Sequence, residues 1–262
     1  MTSAPSERHR LRATFEQDAE LYDRARPTYP AKLFDDLQAL AGLRAGDRIL
    51  ELGPGTGKAT LALAQRGLQV VGVELGESLA AVARRNLADF PAVEIVTVPF
   101  ERWQTDERFD AAVAFTAFHW IDPEIRYEKT ARLLRAGGSL AIVETKHVLP
   151  EGGDRFWEDV QADYDAVAPH PDNRPPPRPD EVPDLSAEIG ASGRFRNVAA
   201  RRYLWDAPYT ADEYIAVLDT YSGHRSMADD QRRELYRRIR ERIGERIVTK
   251  TYLFALNLAT RL

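Results

Sequence analysis

Between residues 48 and 143 short apolar runs alternate with stretches of helical period. Arg48–Leu52, Gln69–Glu74, Val93–Val98, Phe109–Phe115 and Ser139–Val143 are five to seven residues long and rich in Val, Ile, Leu, Ala and Phe. Runs of this length, bounded by Gly, Pro and Asp, read as buried strands. Ala31–Leu40 carries Leu33, Phe34, Leu37 and Leu40 on one face and stops at Gly42. A helix from Ala59 stops at Gly67, and Glu77–Asp89 places Leu79, Val82, Ala83 and Leu87 together. Pro123–Leu134 reads as a helix with Asp122 as N-cap and Pro in its first position, ended by Ala136, Gly137 and Gly138. Strands alternating with helices predict an α/β fold with a mostly parallel sheet covered on both faces.

The pattern changes near residue 150. Asp154–Ala168 is helical, with Phe156, Trp157, Val160, Tyr164 and Val167. Pro169–Pro183 holds seven prolines and reads as an irregular connection. Phe195–Trp205 has strand character, Asp212–Thr220 and Asp229–Ile243 helical, and Ile247–Leu256 closes as a long strand. We therefore expect an N-terminal segment and cofactor core over 1–149, a helical cap over 150–245 that includes the strand at 195–205, and a closing strand over 246–262. In that reading 150–192 and 211–245 are insertions over the C-terminal edge of the sheet. Residues 1–12 are polar, and Glu16–Asp23 is helical in composition before Pro27 and Pro30 interrupt it. The Arg-rich stretch from Arg232 to Arg242 also holds Glu234 and Glu241, with Leu235, Ile239 and Ile243 as its inward stripe. It reads as a solvated helix face.

Composition narrows the function classes. The chain has 262 residues, 44% hydrophobic, enough for a sizeable core. It has no Cys, which removes disulfides, thiolate metal sites and a Cys nucleophile. A net charge of -5 argues against a broad nucleic-acid footprint. No apolar run approaches the ~18 residues of a membrane span. The N-terminal residues show no signal-peptide core, and a cytoplasmic protein is expected; separately, a monomer or homodimer is expected. No His/Asp/Glu group has metal-ligand spacing, and no metal is expected.

The chemistry concentrates in Glu51–Lys58, where Gly53, Gly55 and Gly57 join a strand to a helix. Glycines there let backbone approach a ligand closely. A Walker-type phosphate loop is one residue short, and Ala59 stands where a hydroxyl would hold Mg²⁺. A dinucleotide fingerprint places its third Gly one position later than Gly57. Glu74, ending the second strand, suits the ribose of NAD or of another adenosine-containing cofactor.

Glu51–Gly57 resembles motif I (E/D-x-G-x-G-x-G) of the class I S-adenosylmethionine-dependent methyltransferases. Phe109-Asp110 resembles motif II. Leu133–Leu140 resembles motif III, with Ala136 in place of the usual Pro. Phe118–Asp122 and Tyr22–Pro30 are similar to a subgroup of trans-aconitate-type and other bacterial small-molecule methyltransferases. The resemblance covers about residues 15–145 and implies a Rossmann-like, seven-stranded fold that binds S-adenosyl-L-methionine. It implies cofactor contacts from Glu51, Gly53, Gly55, Gly57 and Glu74, joined by Leu75, Phe100 and Thr116. Relatives carry an acid where Pro99 stands here, so Glu101, or the Phe100 ring and N–H, is left to meet the adenine. Arg26 is a candidate for the cofactor carboxylate and Tyr22 for a lid over it. His119, just past the fourth strand, is the candidate base; an alternative is that it anchors its loop. Tyr29, Trp120, His147, Tyr221 and His224 are candidates for a small-molecule acceptor, with Tyr221 and His224 flanking an expected turn at Ser222-Gly223. Two other readings stay open: an NAD(P)-dependent oxidoreductase, and a non-catalytic protein that binds S-adenosylmethionine.

Overall fold

The structure, a computed structural model, describes residues 18–170 and 173–262. The readings made for residues 1–12 and for Glu16 fall outside the described residues. The described chain forms two compact units. One comprises residues 28–145, 184–203 and 254–262; the other comprises 18–27, 146–183 and 204–253.

The first unit starts with α2 (Ala31–Ala41), which follows α1 (Ala19–Ala25) of the second unit. It continues as β1 (Arg48–Leu52), α3 (Lys58–Ala64), β2 (Gln69–Glu74), α4 (Glu77–Asn86), β3 (Val93–Thr97), β4 (Phe109–Phe115), α5 (Arg126–Leu133) and β5 (Leu134–Val148). Later it takes in α8 (Ser186–Ala191), the start of β6 (Phe195–Tyr209) and the end of β7 (Val248–Arg261). The seven strands run in the order β3-β2-β1-β4-β5-β7-β6. β1 pairs in parallel with both β2 and β4, β2 with β3, and β4 with β5. The α/β class expected from the alternating pattern and the seven-stranded sheet implied by the resemblance are both present.

Both faces of the central strands are covered. Ile49 and Leu50 point to opposite sides of β1, and neither is exposed. Leu50, Leu52, Val71 and Val73 pack with Ala112, Ala114, Leu140 and Ile142 in one cluster. Ala80 and Ala83 of α4, with Leu87 just past its end, cover Ile95 in another. This is the burial that makes parallel strands continuously apolar in sequence.

α5 begins at Arg126, not Pro123, and Ile125 is its N-cap. The Asp122 carboxylate accepts from the Glu124 N–H at 3.0 Å, and its carbonyl accepts from Ile125 at 3.1 Å. A short polar side chain that bonds its own following backbone builds a turn in place of the first helical turn. β5 is longer than expected because the Gly137-Gly138 stretch belongs to it: between Phe109↔Leu134 and Ala111↔Ser139 the register slips in a bulge. Gly137 has φ +73°, which suits glycine at such a bulge. α8 was not anticipated. The Asp184 carboxylate accepts from Ser186 N–H at 2.8 Å at its start, and Ile189 is fully buried.

The second unit contains α6 (Phe156–Asp159), α7 (Gln161–Val167), α9 (Ala211–Leu218), α10 (Ser222–Arg225) and α11 (Asp229–Ile243). The expected single helix from Asp154 to Ala168 is two, meeting at Val160. The expected turn at Ser222-Gly223 is instead the single-turn helix α10, closed by Arg225 N–H on the Tyr221 carbonyl. α11 spans the stretch expected, with Leu235 and Ile239 fully buried. Its arginines pair with acids: Arg237 and Arg238 with Glu234, Arg240 with Asp212, and Arg242 with Asp163 in a two-bond fork. These contacts account for the Arg-rich face as a solvated, ion-paired surface.

The core of this unit is aromatic. Trp157 is 2% exposed, its Nε1–H donates to the Thr249 carbonyl at 2.7 Å, and its ring meets Phe156 and Tyr214 edge-on. Trp157→Phe keeps an aromatic ring but leaves that buried carbonyl without its donor. We expect a loss of roughly 1–3 kcal/mol in urea unfolding, with the slope unchanged. A loss below the measurement error would show that the bond is replaceable by water.

Candidate functional site

The site of the first unit is assembled at the C-terminal ends of β1, β2 and β4. β1 lies between β2 and β4, so the connections after β1 and β2 run one way and those after β4 the other. This is the switch point at which open α/β sheets bind ligands.

The loop after β1 is held down from several sides. Gly53 N–H bonds the Val73 carbonyl at 3.0 Å, and Asn86 Nδ2 donates to the Thr56 carbonyl at 3.0 Å. Gly53 has φ +68°, and a Cβ there would sit 2.7 Å from Ala117 Cβ, just past β4. Only glycine fits this point of contact between the β1 and β4 loops. Gly57 caps α3 with φ +87°, and its missing Cβ would meet Leu87 Cδ1 at 2.9 Å.

Two carboxylates sit under this loop. Glu74 is 6% exposed; its Oε2 accepts from Gly55 N–H at 2.8 Å and its Oε1 from Gly76 N–H at 2.9 Å. The acid at the end of β2 thus clamps the loops after β1 and β2 together. Glu51 is fully buried, and Thr60 Oγ1 donates to its Oε2 at 2.7 Å. Its Oε1 has no partner, and Thr56 Oγ1 is likewise buried without one. Burial, opposed by the Thr60 bond and aided by Glu74, pushes the Glu51 carboxyl up to about 7.

β4 is followed at once by Thr116, a non-glycine residue at φ +55°. Its Oγ1 shares a hydrogen bond with Thr145 Oγ1 at 2.8 Å, and its N–H bonds the Val143 carbonyl at 2.7 Å. Residues held in this region are strained and collect at ligand sites. The turn that follows presents His119, exposed, with its ring 4.8 Å from Trp120. Leu75 is 39% exposed, an apolar side chain left at the rim next to Glu74.

The other candidates are placed as follows. The Phe100 ring is 4% exposed and committed to the core, with the Lys129 ammonium 4.9 Å from it. Glu101 Oε1 accepts from Asp122 N–H at 3.3 Å, tying the β3 loop to the β4 loop. Tyr29 packs edge-on against Phe34, Phe115 and Phe254. Tyr22, Arg26, His147, Tyr221 and His224 belong to the second unit. There Arg26 Nε donates to Thr220 Oγ1 at 2.7 Å and Nη2 to the Thr220 carbonyl at 3.0 Å. His147 stacks edge-on against Trp157 at 4.4 Å, and burial, helped by Lys250, pushes it down to about 2, so it stays neutral. His224 Nε2 shares a hydrogen bond with Tyr164 at 2.9 Å.

Sequence reasoning missed Thr60, Ala117 and Thr145. Thr60 had a signal: with Ala59 and Leu63 it lies on the buried side of α3, the side that meets β1. Ala117 and Thr145 had none, because each acts through a neighbour distant in sequence.

A glycine loop pinned by an acid at the end of β2, over a second buried acid, is the candidate place for a nucleotide-type cofactor in this α/β sheet. Residues 50–142 match the family described as Methyltransferase domain. An uncharacterized methyltransferase of Mycobacterium tuberculosis is 38% identical over 122 residues, 47% of this chain and 48% of that protein. A demethylmenaquinone methyltransferase of Clavibacter sepedonicus is 34% identical over 143 residues, 50% of this chain and 56% of that protein. The chain spans about half the length of these curated relatives. In fold it is similar to an S-adenosylmethionine-dependent methyltransferase of Geobacter sulfurreducens solved with S-adenosyl-L-homocysteine. The TM-score is 0.51 at 20% identity, over 98% of this chain and 99% of that one. The match to the methyltransferase-domain family covers residues 50–142, and over the whole chain the likeness to the solved methyltransferase is one of fold.

Proposed function

We propose that the protein moves a methyl group from S-adenosylmethionine to a small-molecule acceptor. The observation that carries this reading is the unpartnered, fully buried Oε1 of Glu51 beneath the glycine loop. A buried carboxylate oxygen without a donor is costly, and a ligand ammonium supplies the missing partner. The methionine end of the cofactor carries such an ammonium; the ribose end carries hydroxyls suited to Glu74. Leu75 offers an apolar face for the base. NADH brings no comparable ammonium to Glu51, which favours the methyltransferase reading over the oxidoreductase.

The bound cofactor supplies an activated methyl on a sulfonium, so the protein's work is alignment, worth up to roughly 7–11 kcal/mol. Gly53 keeps the β1 loop in contact with the β4 loop, and Thr116 fixes where the β4 loop leaves the strand. His119 and Trp120 on that loop are the groups of this unit that face the acceptor. The relative named for demethylmenaquinone supports a small molecule as acceptor.

Thermal denaturation with S-adenosylhomocysteine, NADH or ATP-Mg tests the cofactor. A ligand at ~100 times its Kd adds about 2.7 kcal/mol to stability. S-adenosylhomocysteine alone is expected to raise the midpoint. A rise with NADH instead would overturn the reading.

A further inference from the structure

We propose that Lys129 is a positioning residue for the cofactor: its ammonium gathers three main-chain carbonyls of the loop after β3 and so aims a backbone N–H of that loop at the adenine ring. The proposal rests on the cofactor reading above, and every residue it uses belongs to the first unit.

The loop starts beside the candidate site. Thr97, the last residue of β3, pairs with Glu74, and Val98 N–H donates to the Glu74 carbonyl at 2.8 Å. Residues 99–103 follow as a tight turn, in which the N–H groups of Arg102 and Trp103 bond the Pro99 carbonyl at 2.9 and 3.0 Å. On its other side Glu101 Oε1 accepts from Asp122 N–H, so the turn reaches the loop after β4. A base on a ribose held at Glu74 has this turn within reach on the β3 side.

Lys129 comes to the turn from α5. Its Nζ donates to the carbonyls of Phe100 at 2.6 Å, Glu101 at 3.2 Å and Trp103 at 2.5 Å. It also lies 4.9 Å from the centre of the Phe100 ring, which is itself buried in the core cluster with Val73 and Tyr127. An ammonium has three N–H donors, and this one turn takes all of them. Three carbonyl dipoles aimed at one point repel one another, and a cation among them reverses the sign of that interaction. Among the described residues no carboxylate forms an ion pair with Lys129, so the turn's own carbonyls are the partners of its charge.

The direction of the carbonyls fixes the direction of the donors. In a trans peptide the carbonyl of one residue and the N–H of the next point to opposite sides. The carbonyls of Phe100 and Glu101 point to Lys129, so the N–H groups of Glu101 and Arg102 point away from it. Arg102 N–H is taken by the Pro99 carbonyl. Glu101 N–H is therefore the donor that the turn presents on the side away from α5. With the ammonium removed, the bond left on these two carbonyls among the described residues is the 3.3 Å one from Trp103 N–H to Phe100. The two peptides can then rotate, and the donor with them.

Lys129 thus acts on the cofactor through the backbone and touches no reacting atom. Its effect falls on how tightly the base is held and on which base is accepted. The compact ammonium matters as well as the charge, because a planar guanidinium spreads its donors in a fixed fork and cannot converge them on three carbonyls.

The test is calorimetric titration of the full-length wild type and of Lys129→Met with S-adenosylhomocysteine and with S-inosylhomocysteine. In the inosyl ligand the ring nitrogen that accepts in adenine carries a proton, and a carbonyl replaces the amino group. A donor held in place rejects that edge, so the wild type is expected to prefer the adenosyl ligand by at least about tenfold. Lys129→Met is expected to weaken the adenosyl ligand by about tenfold and to bring the two affinities within about threefold of each other. Lys129→Arg should narrow the preference in the same way, and it decides the matter if Lys129→Met fails to fold. Equal weakening of both ligands with the preference kept would show that Lys129 only supports the fold. That result, or unchanged affinities, overturns the proposal. A wild type that binds both ligands without the preference overturns it too, since the turn then does not read the base. A wild type that binds neither ligand overturns the cofactor reading beneath it instead.

Discussion

Glu51→Gln is expected to stabilise the ligand-free protein at pH 8 by roughly 3 kcal/mol while weakening S-adenosylhomocysteine at least tenfold. The two effects have one cause. The carboxyl is fully buried with one donor, and its ionisation is raised from 4.5 to about 7. A shift of one unit corresponds to about 1.36 kcal/mol of difference between the protonation states. Because the folded value lies above the unfolded one, the stabilisation from the neutral acid is fully present below about 4.5. It is lost as the pH rises through about 7, so wild-type stability should decline across that interval. Gln is neutral throughout and removes the decline, while Thr60 can still bond its amide. The cofactor's ammonium, however, loses its counter-charge. Urea unfolding at pH 5 and pH 8, with and without S-adenosylhomocysteine, reads both effects. If wild type and variant follow the same pH course, Glu51 is not the group that titrates. If affinity survives in the variant, the ammonium is bound elsewhere.

The alternating pattern from 48 to 143 was legible because each strand there is buried on both faces, and a sheet of that kind leaves a local trace in sequence. The glycine loop was legible for a related reason: Gly53 answers to a close contact, and a glycine is the visible residue of a missing Cβ. What could not be read were contacts made by distant partners. Arg26 meets Thr220 across 194 residues, and nothing around either residue signals the other. Lys250 read as one polar residue in an apolar closing strand. Its burial among Tyr252, Tyr221, Tyr214 and Trp157 depends on four segments arriving together. The boundaries that moved, at Asp122 and at Ser222, were decided by a side-chain bond to backbone and by one extra helical turn, both smaller than the period that predicts a helix.

Replacing Glu74 with Ala should have the largest effect on cofactor binding: a loss of about 100-fold or more in S-adenosylhomocysteine affinity, near 2.7 kcal/mol. Glu74 acts twice. Its two oxygens already accept from Gly55 and Gly76, so it sets the shape of the loops after β1 and β2 before any ligand arrives. Each oxygen retains a lone pair for a ribose hydroxyl, and a hydrogen bond to a charged group contributes roughly 1.5–3 kcal/mol. Ala removes the acceptors for both the loop and the ribose. The ligand-free protein should lose stability as well, because two N–H groups beside a nearly buried side chain lose their partner. Glu74→Gln separates the two roles. Its remaining carbonyl oxygen can serve one of the two glycines, while its amide cannot accept from a hydroxyl, so stability should recover further than affinity. Calorimetric titration of the three proteins with S-adenosylhomocysteine, beside their thermal midpoints, gives the comparison. Unchanged affinity in Glu74→Ala would move the cofactor away from the end of β2. Equal recovery of stability and affinity in Glu74→Gln would mean that Glu74 shapes the loop without touching the ligand.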